Sequence, residues 1–199
     1  MIVSTRKIAL LTAMAFTGAS LLATSPAVAQ LDELIVTATK REQLLQTVPI
    51  AISVFDTTQL RNSGVDTIHE LMSLAPSFQS SSSNSETQGN TIRIRGIGTQ
   101  GNNPGFESAV GVFIDNVFRA RAGIALTELL DIERIEVLRG PQSTLFGRNT
   151  SAGALNIITK GPEFEFGGYV EGTYGNYDMY DIRGSVTGPI VGDKLAARF

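Results

Sequence analysis

Ile135-Glu136-Val137-Leu138-Arg139-Gly140-Pro141-Gln142-Ser143-Thr144-Leu145-Phe146-Gly147 stands in the second half of a chain of 199 residues. It opens inside the run Ile132 to Leu138, where Ile132, Ile135, Val137 and Leu138 are interleaved with Glu133, Arg134 and Glu136, and which reads as a strand. Gly140-Pro141 then breaks the run, because proline cannot continue a sheet ladder and glycine suits a turn. Arg139 to Asn149 reads as a loop. A second short strand follows at Ala154-Leu155-Asn156-Ile157-Ile158-Thr159.

Upstream, the pattern is one of short elements. Pro49 to Phe55 alternates with period two and reads as a strand. Asp56-Thr57-Thr58 offers a helix cap, and Asn62-Ser63-Gly64 stops that helix. Asp66-Thr67 opens a second helix with Ile68, Leu71, Met72 and Leu74 at helical spacing, ended by Pro76. Ser80 to Asn90 is a polar tract that reads as a loop. Thr91 to Arg95 is an alternating strand, Gly96 to Gly105 a turn, and Ala109 to Ile114 a further strand closed by Asp115-Asn116. Ala125 to Leu130 suggests a short helical turn. Short strands with two helices make an α+β domain over residues 45–162.

After Pro162 the pattern changes. Val170, Gly172 and Tyr174 oppose Tyr169, Glu171 and Thr173. Tyr180, Ile182, Gly184 and Val186 oppose Asp181, Arg183, Ser185 and Thr187. Leu195, Ala197 and Phe199 oppose Lys194, Ala196 and Arg198. One apolar and one polar face in segments of about ten residues is the period of a transmembrane β-barrel. A soluble sheet with one wet face alternates in the same way.

The first residues read as a secretory signal peptide, 1–29. Arg6 and Lys7 precede an apolar core, and Ala27-Val28-Ala29 is a small-x-small cleavage site before Gln30. Cleavage removes two basic residues and no acidic one, taking the net charge from −3 to −5. That disfavours nucleic acid. With no cysteine and one histidine, His69, thiolate chemistry and multi-histidine metal sites are excluded. Gly96-Ile97-Gly98-Thr99-Gln100-Gly101 matches a dinucleotide pattern, but Asn102-Asn103-Pro104-Gly105 follows where a helix N-terminus is needed. No nucleophile elbow or second histidine supports a triad. The reading contains no catalytic residue, no metal and no cofactor.

Several stretches resemble the TonB-dependent outer-membrane receptors. Glu33-Leu34-Ile35-Val36-Thr37-Ala38 is similar to that family's TonB box. Ile92-Arg93-Ile94-Arg95-Gly96 is similar to its plug strand ending in Arg-Gly. Val112-Phe113-Ile114-Asp115-Asn116-Val117 resembles its Ile-Asp-Gly-Val turn, with Asn116 in place of the usual glycine. Ile135 to Gly147, continuing into Ala152 to Thr159, is the most specific match.

The resemblance implies a signal peptide (1–29), a TonB box in a mobile N-terminal segment (30–44), an α+β plug domain (45–162) and the first antiparallel strands of an incomplete transmembrane β-barrel (163–199). It implies an outer-membrane importer of a large scarce solute such as a ferric siderophore, with outer-membrane lipid around it. TonB would pair with the box from the periplasm by strand addition. Arg93, Arg95, Arg134, Arg139 and Arg148 would face a polar barrel wall, or pair with Glu133 and Glu136. If strands 91–95 and 109–114 form an antiparallel hairpin, loops 80–90 and 117–126 share one end of it. In the family that end resembles the outward apex, which makes Gln88, Asn90, Arg119 and Arg121 candidate ligand contacts. The same residues read equally as solvated loop side chains. The competing expectation is a soluble periplasmic binding or signalling module, because barrels need about eight strands or more. Phe199 falls in mid-strand by pattern, so a longer gene product is expected.

Overall fold

The computed structural model describes residues 34–81, 91–99, 107–120 and 129–199. The signal-peptide segment, Glu33, Gln88, Asn90, Arg121 and most of the expected turn at 125–130 lie outside the described residues. Two short strands, β1 (Ile35–Val36) and β2 (Gln43–Leu44), open the described chain and pair antiparallel. A single 3₁₀ turn, Leu45–Thr47, leads on to β3 (Ile52–Asp56).

Helix α1 (Thr57–Asn62) starts where the sequence calls for it. The Asp56 carboxylate accepts the Gln59 N–H at 2.7 Å, which satisfies one of the first-turn donors. Gly64, at φ +63°, reverses the chain after it. The expected second helix is instead one 3₁₀ turn, Glu70–Ser73. Its buried residues explain this: Ile68 and Leu71 are fully buried and Leu74 is half-buried, a spacing of three. Met72 is exposed, its sulfur accepting the Ser80 N–H at 3.1 Å. Side chains three apart eclipse in a 3₁₀ helix and so share one face. The Glu70 carboxylate braces the turn from below, accepting the Asp66 and Thr67 N–H groups at 2.7 and 2.9 Å.

β4 (Phe78–Ser81) and β5 (Thr91–Ile94) form a two-stranded antiparallel sheet. Ser80 and Ser81, expected in a loop, belong to this ladder, and Ser80 is buried. The expected hairpin between 91–95 and 109–114 does not form. β6 (Val110–Ile114) instead turns at Asp115-Asn116 into β7 (Val117–Arg119), a strand that composition did not reveal. Asp115 and Asn116 both take positive φ, +49° and +67°, so Asn116 fills a position that suits glycine without difficulty.

β8 (Ile132–Arg139) and β9 (Gly153–Thr159) sit at the centre of a five-stranded sheet ordered β3-β8-β9-β6-β7. β6 and β9 are parallel, and the other neighbours are antiparallel. The segment between β8 and β9, expected to be all loop, contains a one-turn helix, α2 (Ser143–Phe146).

Both faces of this sheet are covered. On one face Phe55, Val110, Val112, Ile135, Val137, Leu155 and Ile157 pack with Leu60 of α1, Ile68, Leu71, Phe78 and Ile92. On the other, Phe113, Leu138 and Ala154 pack with Phe146 of α2 and with Val36, Ala38 and Val48. Each fully buried aliphatic or aromatic side chain contributes about 1.5–3 kcal/mol, so the N-terminal segment is part of the core.

The last three strands, β10 (Gly167–Tyr174), β11 (Tyr180–Val191) and β12 (Leu195–Arg198), form a separate antiparallel meander. No described helix is long and apolar enough to cross a membrane, which says nothing about strands.

Candidate functional site

The box-like segment does not hang from the domain. Val36 and Ala38 are 0% exposed, seated against the second face of the central sheet. The expectation of a mobile peptide is thus corrected for Leu34 to Ala38: apolar burial and hydrogen bonds hold it. On one edge it pairs with its own chain, Ile35 opposite Leu44 and Val36 opposite Gln43, and the Leu45 N–H donates to the Leu34 carbonyl at 2.9 Å.

On the other edge stands a carboxylate. Glu136, in mid-β8, is 0% exposed. Its Oε1 accepts the Thr37 N–H at 2.8 Å and the Thr37 hydroxyl at 3.2 Å. Arg134 Nε donates to the same oxygen at 2.9 Å and also pairs with Glu133. Asn156, the cross-strand neighbour of Glu136 on β9, donates its amide to Glu136 Oε2 at 3.2 Å and to the Thr37 hydroxyl at 3.3 Å. A buried carboxylate is costly unless paired and hydrogen-bonded, and Arg134, Asn156 and Thr37 together supply that pairing.

Lys40 closes the segment. Its Nζ donates to Asn116 Oδ1 at 3.0 Å and lies 4.2 Å from the Phe146 ring centroid and 4.9 Å from that of Phe113. Burial pulls its pKa below the ordinary lysine value, and the Glu136 charge opposes that shift. Asn116 therefore has a role beyond its φ, since it supplies the acceptor. Asp115 clamps the end of β9, its carboxylate accepting the Thr159 N–H and hydroxyl, both at 2.9 Å.

The meander faces the domain with its polar side. Ser185 and Thr187 are buried, whereas Val170 is 84% and Ile182 76% exposed. Arg198 reaches Asp131 through both carboxylate oxygens, and the Ser185 hydroxyl donates to the same residue at 3.1 Å. Hydrogen bonding from Arg198, outweighing burial, holds the Asp131 carboxyl below its usual range. Arg61 of α1 pairs with Glu171 at 2.8 Å and lies over the Tyr169 ring. Tyr174, Tyr177 and Tyr180 cluster, exposed, about the β10–β11 turn. A polar inner wall, an apolar outer face and an aromatic rim are what a lipid-embedded barrel strand presents.

A family profile described as the TonB-dependent receptor plug domain matches residues 44–154, more than half of the chain. The chain belongs to the TonB-dependent receptor plug family. It is 30% identical over 168 residues to the pesticin receptor of Yersinia pestis, a match that covers 81% of this chain and 24% of the receptor. It is 27% identical over 128 residues to the vitamin B12 transporter BtuB of Vibrio vulnificus, covering 64% of this chain and 20% of the transporter. Among solved structures, that of the ferric yersiniabactin uptake receptor FyuA from Yersinia pestis superposes with a TM-score of 0.68 at 28% identity, covering 75% of this chain and 23% of that one. The chain thus spans about a fifth to a quarter of the length of these relatives. Its fold is the α+β plug followed by the opening antiparallel strands of a β-barrel, and these relatives are transport receptors.

Of the residues singled out in the sequence, the structure places Leu34 to Ala38 on the central sheet and Arg119 on the edge strand β7. Arg119 Nε is buried and has no hydrogen-bond partner among the described residues. Of the expected arginine partners, Arg134 takes both Glu133 and Glu136, whereas Arg148 pairs with Glu107. Arg139 donates to the Ile52 carbonyl at 3.3 Å. Sequence reasoning missed Asn156, Lys40 and Asp131. Asn156 alone carried a signal, as a lone amide within an apolar strand.

Proposed function

We propose that this chain is the N-terminal part of an outer-membrane receptor that imports a large scarce solute, of the ferric-siderophore class, by TonB-coupled displacement of the plug. The observation that carries the reading is the inside-out meander: its polar face binds the plug and its apolar face is bare. Such a face suits outer-membrane lipid. It disfavours the soluble periplasmic module, which would expose that face to water.

In this reading Glu33 to Ala38 lie on the periplasmic side and pair with TonB by main-chain hydrogen bonds. The protein catalyses no bond chemistry. The names of the relatives support the cargo class, and the vitamin B12 transporter among them keeps other large solutes in view. The seam between α1 and β10 holds two cavities, of about 60 and 430 Å³, and the larger one reaches Val170 on the apolar outer face, which does not suit such cargo. Gln88, Asn90, Arg119 and Arg121 are proposed contacts instead. The hairpin that first suggested them is absent. Arg119 is kept as a cation whose guanidinium suits an anionic ferric complex, although its Nε itself is buried.

Val36→Pro tests the coupling. Proline removes the N–H and fixes φ, so strand pairing fails. Energy-dependent uptake of ferric yersiniabactin or a related ferric chelate should stop while cell-surface binding persists. Uptake at the unmodified rate would overturn the box assignment.

A further inference from the structure

The chain has a single histidine, and the fold seats it beside a methionine. His69 has helical φ and ψ at the head of the 3₁₀ turn Glu70–Ser73, and Met72 follows three residues on. Side chains at that spacing eclipse and share one face. Both meet Ser80 of β4. His69 Nδ1 lies 2.9 Å from the Ser80 hydroxyl, and Met72 Sδ accepts the Ser80 N–H at 3.1 Å. Ser80 is buried, whereas His69 is half-buried and Met72 exposed, so the pair has a covered back and a side open to solvent.

We propose that His69 Nδ1 and Met72 Sδ form a site for one soft univalent metal ion, of the Cu(I) class, bridging the 3₁₀ turn on the outer edge of β4. Neither residue has a part in the function proposed above, and the site stands independently of it.

The donor set decides the class of ion. Thioether sulfur selects soft metals, and imidazole suits copper as well. A closed-shell univalent ion accepts a near-linear pair of such neutral donors. Zinc wants about four ligands, and among the described residues no three histidine, aspartate or glutamate side chains gather to supply them. Hard ions, ferric iron included, want oxygen donors. The Glu70 carboxylate beside His69 is turned away from the pair, onto the Asp66 and Thr67 N–H groups. Binding also disturbs little. Sulfur has two lone pairs, so Met72 keeps the Ser80 N–H on one and offers the other. With its ring proton on Nε2, His69 offers the Nδ1 lone pair that faces the Ser80 hydroxyl, and that hydroxyl is free to rotate to another partner.

A metal on the second lone pair shields Met72 from peroxide, which otherwise transfers one oxygen to the sulfur and leaves as water. The intact, detergent-solubilised protein is treated with hydrogen peroxide in chloride-free buffer while Ag(I), a redox-stable stand-in for Cu(I), is titrated in. Sulfoxide at each methionine is followed by mass spectrometry. Ag(I) should slow oxidation of Met72 roughly tenfold and leave Met179, exposed on the β10–β11 turn, unaffected. His69→Gln should abolish the protection. Its metal-free rate at Met72 should match that of the unmodified protein, which reports an intact turn. Zn(II) should protect neither methionine. Equal protection of Met72 and Met179, or none at Met72, would overturn the site. So would protection that survives His69→Gln, or protection by Zn(II) as strong as by Ag(I). If His69→Gln alters the metal-free rate, calorimetry on Met72→Leu, a volume-conserving change, decides. Loss of one Ag(I) equivalent relative to the unmodified protein upholds the pair, and unchanged stoichiometry overturns it.

Discussion

Asp131 shows how one residue ties the plug to the wall. It sits at φ +50° just before β8, and its carbonyl accepts the Lys160 N–H at 2.9 Å. Its carboxylate takes Arg198 and Ser185 from the meander. Because its folded pKa lies below the ordinary value of 3.8, the unfolded chain binds the proton more readily. The resulting stability is fully present above that ordinary value and is lost as pH falls through the folded value. Asp131→Asn should therefore cost about 1.5–3 kcal/mol at neutral pH, the range for a hydrogen bond to a charged group. Thermal unfolding of the detergent-solubilised protein, followed from about pH 7 down to about pH 3, should show that deficit shrinking only below about pH 4. A deficit independent of pH would mean that shape, and not charge, joins the two parts.

At the scale of elements, what was legible in the sequence was local. The strand at 132–138 and the cap at Asp56 depend on neighbours in the chain, and both form. The partners of those strands do not depend on neighbours. β6 lies parallel to β9 with Val110 opposite Gly153, and no periodicity specifies a pairing across that separation. The assumed hairpin 91–95 with 109–114 failed for this reason. The box segment looked mobile because its short apolar run lacks a visible partner, and its seat is assembled from β6, β8, β9 and α2. Gly153, whose free side faces the other core, marks a tight crossing of β9 and β8: a Cβ there would collide with the Leu138 carbonyl oxygen and approach Ile94 Cδ1. Gly153→Val should destabilise the plug by about 1–3 kcal/mol, the usual cost of overpacking. Limited proteolysis of the intact protein would register it as faster cleavage within residues 91–160. Unchanged resistance would show that β8 and β9 can separate freely at that point.

At the scale of the molecule, the question left open by alternation alone was whether the last strands meet lipid or water. The structure gives a direction to each side chain. Val170 stands opposite Gly184 in the register, away from the tyrosines at 174, 177 and 180, so it lies toward the middle of the apolar band. Thr173, on the other face, stands opposite Asp181. If the band is in the bilayer, Val170→Arg places a guanidinium in hydrocarbon, at about 2–4 kcal/mol near the midplane. Thr173→Arg places the same group beside a carboxylate on the plug-facing side, where a lumen substitution is tolerated. The intact protein carrying Val170→Arg should therefore reach the outer membrane as a folded, heat-modifiable species in much lower yield, and Thr173→Arg in nearly normal yield. A soluble sheet makes a different forecast. Val170 and Thr173 are both exposed, so arginine at either position would be harmless and the two yields would match. Equal yields, or the reverse order, would take β10–β12 out of the membrane and leave the plug as a soluble module.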